Sequence, residues 1–475
     1  MHTFIFTLDP AFWKRAMMDL KFAAARIAVS HGPSGWNSEY LFHLDDFMKA
    51  LASNCPDIAQ TEIFHIGDTE TREIAEMTRN FMQYTVEFMF GCGSNKYNQL
   101  MLGQTSFLLE GPHKDEVRNL VEFPILLSQS CERQPSKIKS LYAGGGHSGL
   151  LLENGDLFLW GWNEDYQLGV VDIEEEDFVL QPLENLKVEM ASLGHNHTLV
   201  LEKLTGFVYS FGSNSGGKCC PDEKRKSVMV SRVIGERCKD ISAGVFHSAA
   251  ISCSGELITF GCNKFGQCLP LKKDEQFGRW RPSDRCSLVQ VCCGYKHTLI
   301  LDEHGRIWAM GSNKFGQLGS NSKSYSDQSN GKPSLISGRF GEKGSGCYEI
   351  NCGWSHSVAL VRNPDSAKRS VYGWGRNDKG QLGIESSGTN ICTPVPIFEE
   401  LLIETVKCGS EYTMIVDKEE EIFGCGWNEH GNLSTGTNED RQRISPVLGE
   451  SMPSNIGNKQ KLIAVGGAHF ITAVT

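Results

Sequence analysis

The 475-residue chain contains no run of about 18 apolar residues, so no helical membrane span is expected. None of its 17 cysteines stands in C-x-x-C spacing, which removes the usual zinc and redox signatures. The count is odd and the N-terminus lacks a secretory pattern. Together these predict a reducing compartment, cytoplasmic or additionally nuclear. Positive charge is in short supply: 46 Lys and Arg against 57 Asp and Glu leave a net charge of -11. A broad nucleic-acid surface needs clustered cations, so direct nucleic-acid binding is not expected. No Ser-His-Asp set, carboxylate pair or zinc constellation can be assigned. The sequence therefore predicts no enzyme chemistry, no cofactor and no metal of its own.

Glycine is what the chain has in excess, with 50 residues, which points to many tight turns. Much of it falls in two repeated landmarks. Gly-x-Asn occurs at Gly93, Gly161, Gly212, Gly261, Gly311, Gly375 and Gly426, usually followed by Gly-Gln-Leu as at Gly316–Leu318. Gly-x-x-His occurs at Gly144, Gly194, Gly244, Gly294, Gly353 and Gly466, and a further copy at Gly409 ends in Tyr412. His147, His197, His247 and His297 fall 50 residues apart. Between the landmarks, His147–Leu152 and Leu157–Trp160 read as strands around the turn pair Asn154–Gly155.

About 50 residues accommodate four short strands. Such a unit cannot bury both its faces alone, but copies stacked radially can, and the result is an all-β, seven-bladed β-propeller. The ends are complementary. Gly93 has no Gly-x-x-His before it, and Gly466 has no Gly-x-Asn after it. Val86–Leu100 is therefore expected to complete a blade with Leu462–Val474, which leaves no open edge. The propeller is assigned to residues 81–475. Residues 1–80 form an N-terminal extension, with helix-like composition at Ala11–Ala28 and Thr71–Met82. A docked helical extension, a loosely ordered arm and a segment absent from the working form all remain open.

The pattern G-x-x-H-[ST]-x-x-L followed by G-x-[VIL]-[YFW]-x-[WF]-G-x-N-x-x-G-Q-L-G resembles the repeat of the regulator-of-chromosome-condensation family. Gly294–Thr298 and Gly305–Gly319 carry it here. The layout is similar to that of the free-standing, secretion-regulating exchange factors. The resemblance implies a monomeric protein-binding propeller that serves a Ras-superfamily GTPase as a guanine nucleotide exchange factor or an exchange-factor-like regulator. The alternative it leaves open is an adaptor in ubiquitin, trafficking or cytoskeletal complexes. No exchange residues can be carried over, because the family's lie in irregular loops. The family's photoreceptor members repeat G-W-x-H-[ST]; only Gly353–Ser357 matches that here.

Two fingerprints are read as decoys. Gly212–Cys219 nearly spells a phosphate loop, and Gly144–Gly149 reads G-x-G-x-x-G, but both fall on landmarks with no helix expected to follow. Lys218 is accordingly expected to be dispensable, whereas Gly217 is expected to need a glycine-favoured conformation. The recurrent histidines are one per blade, so they are read as structural hydrogen-bonding groups. Specificity is expected in irregular loops. Arg279, Trp280 and Arg281 are the leading candidates for partner binding, since Trp and Arg are enriched at interface hot spots. The competing reading has Trp280 packing over a blade edge while the arginines face water. Ser320–Gly346 is the next candidate, and the acidic runs Glu174–Asp177 and Glu419–Glu421 are read as solvated loops.

Overall fold

A computed structural model describes residues 84–100, 116–128, 136–170, 179–180, 182–272, 275–283, 286–320, 331–336, 346–362, 369–385, 390–398, 402–447 and 461–474. Residues 1–80, Glu174–Asp177, Lys368 and most of Ser320–Gly346 lie outside them.

The strands follow one another as antiparallel meanders. In blade 1, β1 (Tyr84–Ser94) pairs with β2 (Glu116–Ser128). Blade 2 holds β3 (Ile138–Ala143), β4 (His147–Leu152) and β5 (Leu157–Gly161). The short β6 (Val179–Leu180) crosses to join blade 1 in parallel with β2, and a lone bridge between Phe158 and Pro182 stands in for a fourth strand. Blade 3 is β7 (Val188–Leu193), β8 (His197–Glu202), β9 (Val208–Ser213) and β10 (Ser227–Ile234). Blade 4 is β11 (Cys238–Ala243), β12 (His247–Ser252), β13 (Leu257–Gly261) and β14 (Gly278–Trp280). Blade 5 is β15 (Leu288–Cys293), β16 (His297–Asp302), β17 (Ile307–Gly311) and β18 (Ser334–Leu335). Blade 6 is β19 (Cys347–Cys352), β20 (His356–Arg362), β21 (Arg369–Gly375) and β22 (Ile391–Phe398). Blade 7 is β23 (Ile403–Cys408), β24 (Tyr412–Asp417), β25 (Ile422–Gly426) and β26 (Arg441–Pro446).

The last strands, β27 (Lys461–Val465) and β28 (His469–Val474), return to blade 1. There β28 pairs with β1 from Met89 opposite Ala473 to Gly93 opposite His469, so the two ends of the repeat close the ring as the half-units require. The second strands, such as β8 and β16, are buried at every position because a neighbouring blade covers each face. Apolar side chains fill each wedge between blades. Met89, Leu150 and Ile471 lie between blades 1 and 2, and Phe90, Met414 and Phe470 between blades 7 and 1.

The landmark residues fasten these wedges. Each Gly-x-Asn asparagine accepts, through Oδ1, the backbone N–H five residues on, as Asn95 does from Leu100 at 2.8 Å and Asn428 from Leu433 at 2.8 Å. Its glycine sits at φ between 99° and 117° in all seven copies, where a side chain is strained. The histidines then link blade to blade. His147 Nε2 lies 3.0 Å from Thr198 Oγ1, His197 is 2.9 Å from Ser248, and His247 is 2.8 Å from Thr298. His297 reaches Ser357, His356 reaches Thr413, and His469 reaches Ser148. Each hydroxyl donates its own proton to a backbone carbonyl, Thr298 to Gln267 at 2.7 Å for example. The imidazole must therefore donate from Nε2. The glycine of Gly-x-x-His clears room for this ring: a Cβ on Gly353 would meet His356 Cε1 at 2.0 Å.

Tyr412 breaks the pattern together with its neighbour. The residue after His469 is Phe470 rather than Ser or Thr. Tyr412 instead donates its hydroxyl toward the backbone carbonyls of Gly466 (3.1 Å) and His469 (2.7 Å).

Candidate functional site

Strand direction alternates along each blade, so the Gly-x-x-His turns and the Gly-x-Asn loops open on the same face. Their variable positions supply its side chains. The Gly-x-x-His turns contribute His195, Phe246, Tyr295 and Trp354; the Gly-x-Asn loops contribute Tyr97, Trp162, Phe265 and Phe315. Six of these rings form a continuous chain over the mouth. Tyr97 stacks on Trp162 at 5.0 Å, Trp162 meets His195 at 6.0 Å, and His195 of blade 3 reaches across to Trp354 of blade 6 at 6.5 Å. Trp354 continues to Tyr295 at 5.6 Å, and Tyr295 to Phe246 at 5.0 Å. Trp354 is 37% exposed.

Cations sit on these rings. The Lys296 ammonium lies 4.2 Å from the Phe265 ring centre and 5.1 Å from that of Tyr295. Lys314 and Arg376 both approach Phe315 at 5.3 Å. Lys264 and Lys314 are exposed, and among the described residues neither they nor Lys296 pair with a carboxylate. Blades 4 and 5 thus present a basic, aromatic sector within an acidic chain. Toward blade 7 the charges are neutralised: Arg376 is bound by Asp378 at 2.6 Å and by Glu411, whose carboxyl is pushed up by burial.

On the blade 2–3 side, Asp165 accepts from Asn196 (2.8 Å) and Ser227 (2.9 Å). Lys218 completes that network. Only 3% exposed, it donates to Asn196 Oδ1 at 2.5 Å and to the Val245 carbonyl at 3.0 Å, so its side chain ties blade 3 to blade 4. Burial holds its ammonium below the usual lysine range. The expectation that Lys218 is dispensable is therefore corrected: the residue is buried and doubly bonded. Gly217, at φ 76°, does take the conformation expected of it, and the residues that follow it, 218–226, run through turns into β10 where a phosphate loop would need a helix.

Behind the rings an axial cavity of about 120 Å³, lined by Gly145, His195, Val245 and Trp354, continues into a wider one of about 870 Å³. The wider part holds Asp240, raised to about 7 by burial, and Lys407, 3.0 Å from Glu349.

Arg279, Trp280 and Arg281 lie elsewhere, on the outer edge of blade 4. Strand alternation splays the first two apart. Trp280 is half-buried and packs edge-on against Trp308 of blade 5 at 5.2 Å. Arg279 turns to Glu236 and to Glu256 at 2.9 Å. The structure does not bring these side chains into one patch with the aromatic mouth. The mouth itself has a sequence signal: the variable residues within the landmarks, including the repeated Asn-Lys-aromatic triplets at Asn95, Asn263 and Asn313. The sequence reading assigned the landmarks wholly to the fold.

Among proteins of known family, RCC1-like domains match residues 88–472, and the description "ChaC-like protein" matches residues 1–69 alone. The mouse secretion-regulating guanine nucleotide exchange factor is 28% identical over 414 residues, covering 81% of this chain and 82% of that protein. Among solved structures, Prp20p of Saccharomyces cerevisiae superposes with a TM-score of 0.66 at 17% identity, over 82% of this chain and 91% of its own; its structure was described with its binding to Gsp1p and histones. Human WBSCR16 gives a TM-score of 0.64 at 20% identity, over 82% of this chain and all of its own. At these identities the two structures speak to the fold.

Proposed function

Because this chain belongs to the RCC1-like domain family, we propose that it regulates a Ras-superfamily GTPase, as a guanine nucleotide exchange factor or an exchange-factor-like binder, through its aromatic mouth. The observation that carries this reading is the basic, aromatic sector of blades 4 and 5, from Phe265 through Tyr295 and Lys296 to Phe315, in a chain of net charge -11. Such a surface suits an acidic partner face. Rings supply contact area at low entropic cost, and lysines over rings supply charge steering.

Exchange makes and breaks no covalent bond. It requires only that the propeller bind the nucleotide-free GTPase more tightly than the nucleotide-bound one, and no cofactor is needed. A ring whose blades are cross-linked by histidine bonds resists deformation, so the partner takes up the change in shape. The likeness across 82% of a protein named as an exchange factor agrees with this reading.

The test is a panel of small GTPases loaded with fluorescent GDP. Accelerated release from one member supports exchange. Binding without acceleration makes the protein an adaptor, and binding to none removes the GTPase reading. The Arg279–Trp280–Arg281 edge is proposed as a separate contact. Arg279→Ala with Arg281→Ala, which spares the Trp280 packing, then weakens partner capture and leaves the unfolding curve in place.

A further inference from the structure

On the face opposite the aromatic mouth, the hairpin joining β16 to β17 meets the connection that enters β15. Cys286 Sγ, a carboxylate oxygen of Glu303 and an imidazole nitrogen of His304 converge there, all within 4.8 Å of one another. We propose that these three residues form a divalent metal site of the zinc class, with a fourth position open to water or to a partner's side chain.

The local structure anchors Cys286 and Glu303 and fixes the backbone of His304. Ser287 donates its N–H to Glu303 Oε1 at 2.8 Å, and Glu303 returns its own N–H to the Ser287 carbonyl at 3.0 Å, so the carboxylate is fixed from behind. Asp302 locks the turn. Its carboxylate accepts from the backbone N–H of His304 and Arg306 (both 3.0 Å), from Arg306 Nε (2.8 Å) and from Trp308 Nε1 (3.0 Å). Cys286 is 4% exposed and donates its N–H to the Ser283 carbonyl. Such supporting contacts orient ligands before the ion arrives.

The donor set is sulfur, nitrogen and oxygen, the mixture that zinc accepts in sites with three protein ligands. Thiolate and carboxylate together balance a dipositive ion. The opposing charge is Arg306, whose guanidinium donates to Sγ at 3.4 Å, and Asp302 neutralises it. Tetrahedral bonding needs donors about 3.3–3.7 Å apart, given metal bonds of about 2.0–2.3 Å. His304 is exposed, so rotation of its side chain can draw the imidazole in. The fold does not demand this trio. In blade 4 the equivalent positions are Glu236, Cys253 and Ser254, which offer no imidazole.

The experiment is titration of Co²⁺ into the full-length, chelator-treated protein, read by the near-ultraviolet thiolate-to-cobalt absorption, with Zn²⁺ competing. The wild type is expected to bind one ion and to lose the band on adding zinc. His304→Ala and Glu303→Gln change exposed residues and should each weaken binding about tenfold or more. Cys286→Ser should abolish the band, and Cys253→Ser should leave it intact. No band in the wild type overturns the site. So does a band whose strength and affinity survive both His304→Ala and Glu303→Gln, because the sulfur then belongs to another cysteine.

Discussion

Lys218 takes the place that Gln99, Gln167, Gln267, Gln317 and Gln381 hold in other blades, and it shows what a repeat conceals. Those glutamines accept a backbone N–H within their own loop, as Gln267 does from Phe265 at 2.8 Å. Lys218 cannot accept. It reaches outward to Asn196 and Val245, so one substitution turns a loop brace into a link between blades. Lys218→Ala strands the Asn196 oxygen and the Val245 carbonyl, and should cost about 1.5–3 kcal/mol, the usual worth of a charged hydrogen bond. Denaturant unfolding checks this, and a variant as stable as wild type would restore the reading that the side chain is dispensable. The histidine role was legible in the sequence because a residue type placed once per blade cannot converge on one site. The Lys218 role was not, since its partners lie 22 and 27 positions away, the second of them in the next blade.

Strands and turns were the most legible level. His147–Leu152 and the Asn154–Gly155 turn stand as read, because a short apolar run buried on both faces and a glycine at φ 92° leave the backbone few options. The closure of β1 on β28 was also legible, from complementary half-units alone. Blade 2 was not: β6 leaves it for blade 1, and no local pattern in a two-residue strand announces which edge it joins. The junction of blades 7 and 1 carries a second exception. Tyr412 and Phe470 depart from the consensus together, and the pair is self-consistent, since a tyrosine hydroxyl reaches carbonyls and needs no neighbouring Oγ. Tyr412→His alone leaves an imidazole facing Phe470, and Phe470→Thr alone opens a void in the wedge. The double variant Tyr412→His/Phe470→Thr should be more stable than the sum of the two losses predicts, by about 0.5–3 kcal/mol of coupling. A double-mutant cycle by thermal or urea unfolding measures it, and simple additivity would mean that the two departures are unrelated.

Burial of its histidines should make the ring as a whole sensitive to acid. His147, His247 and His356 are lowered to about 3 and His297 and His469 to about 4 by burial, while His197 falls well below 6.5 for the same reason. Between the ordinary value of 6.5 and these lowered values the unfolded chain binds more protons than the folded one. Stability therefore rises with pH through that window and is lost as pH falls from about 6.5 toward 4, by up to about 1.4 kcal/mol per pH unit for each histidine. Asp240, raised from 3.8 to about 7, and Glu411, also raised by burial, act in the opposite direction, two carboxyls against the six histidines. The thermal midpoint should hold above pH 7 and drop steeply between pH 6.5 and 5; a flat midpoint down to pH 4 would show that the imidazoles do not fasten the blades in neutral form. The fold was readable at this scale, but the aromatic mouth was not. Side chains from blades 1 to 6 meet at the mouth only after the ring closes, and His195 and Trp354 are 159 residues apart in sequence and 6.5 Å apart in space. The most direct test compares GDP release from the responding GTPase with wild type and with Lys296→Glu/Lys314→Glu, after matching their unfolding curves. The account predicts acceleration by the wild type and at least a tenfold loss in the variant, about 1.4 kcal/mol. Equal acceleration by both proteins would contradict it and move the partner surface away from the aromatic mouth.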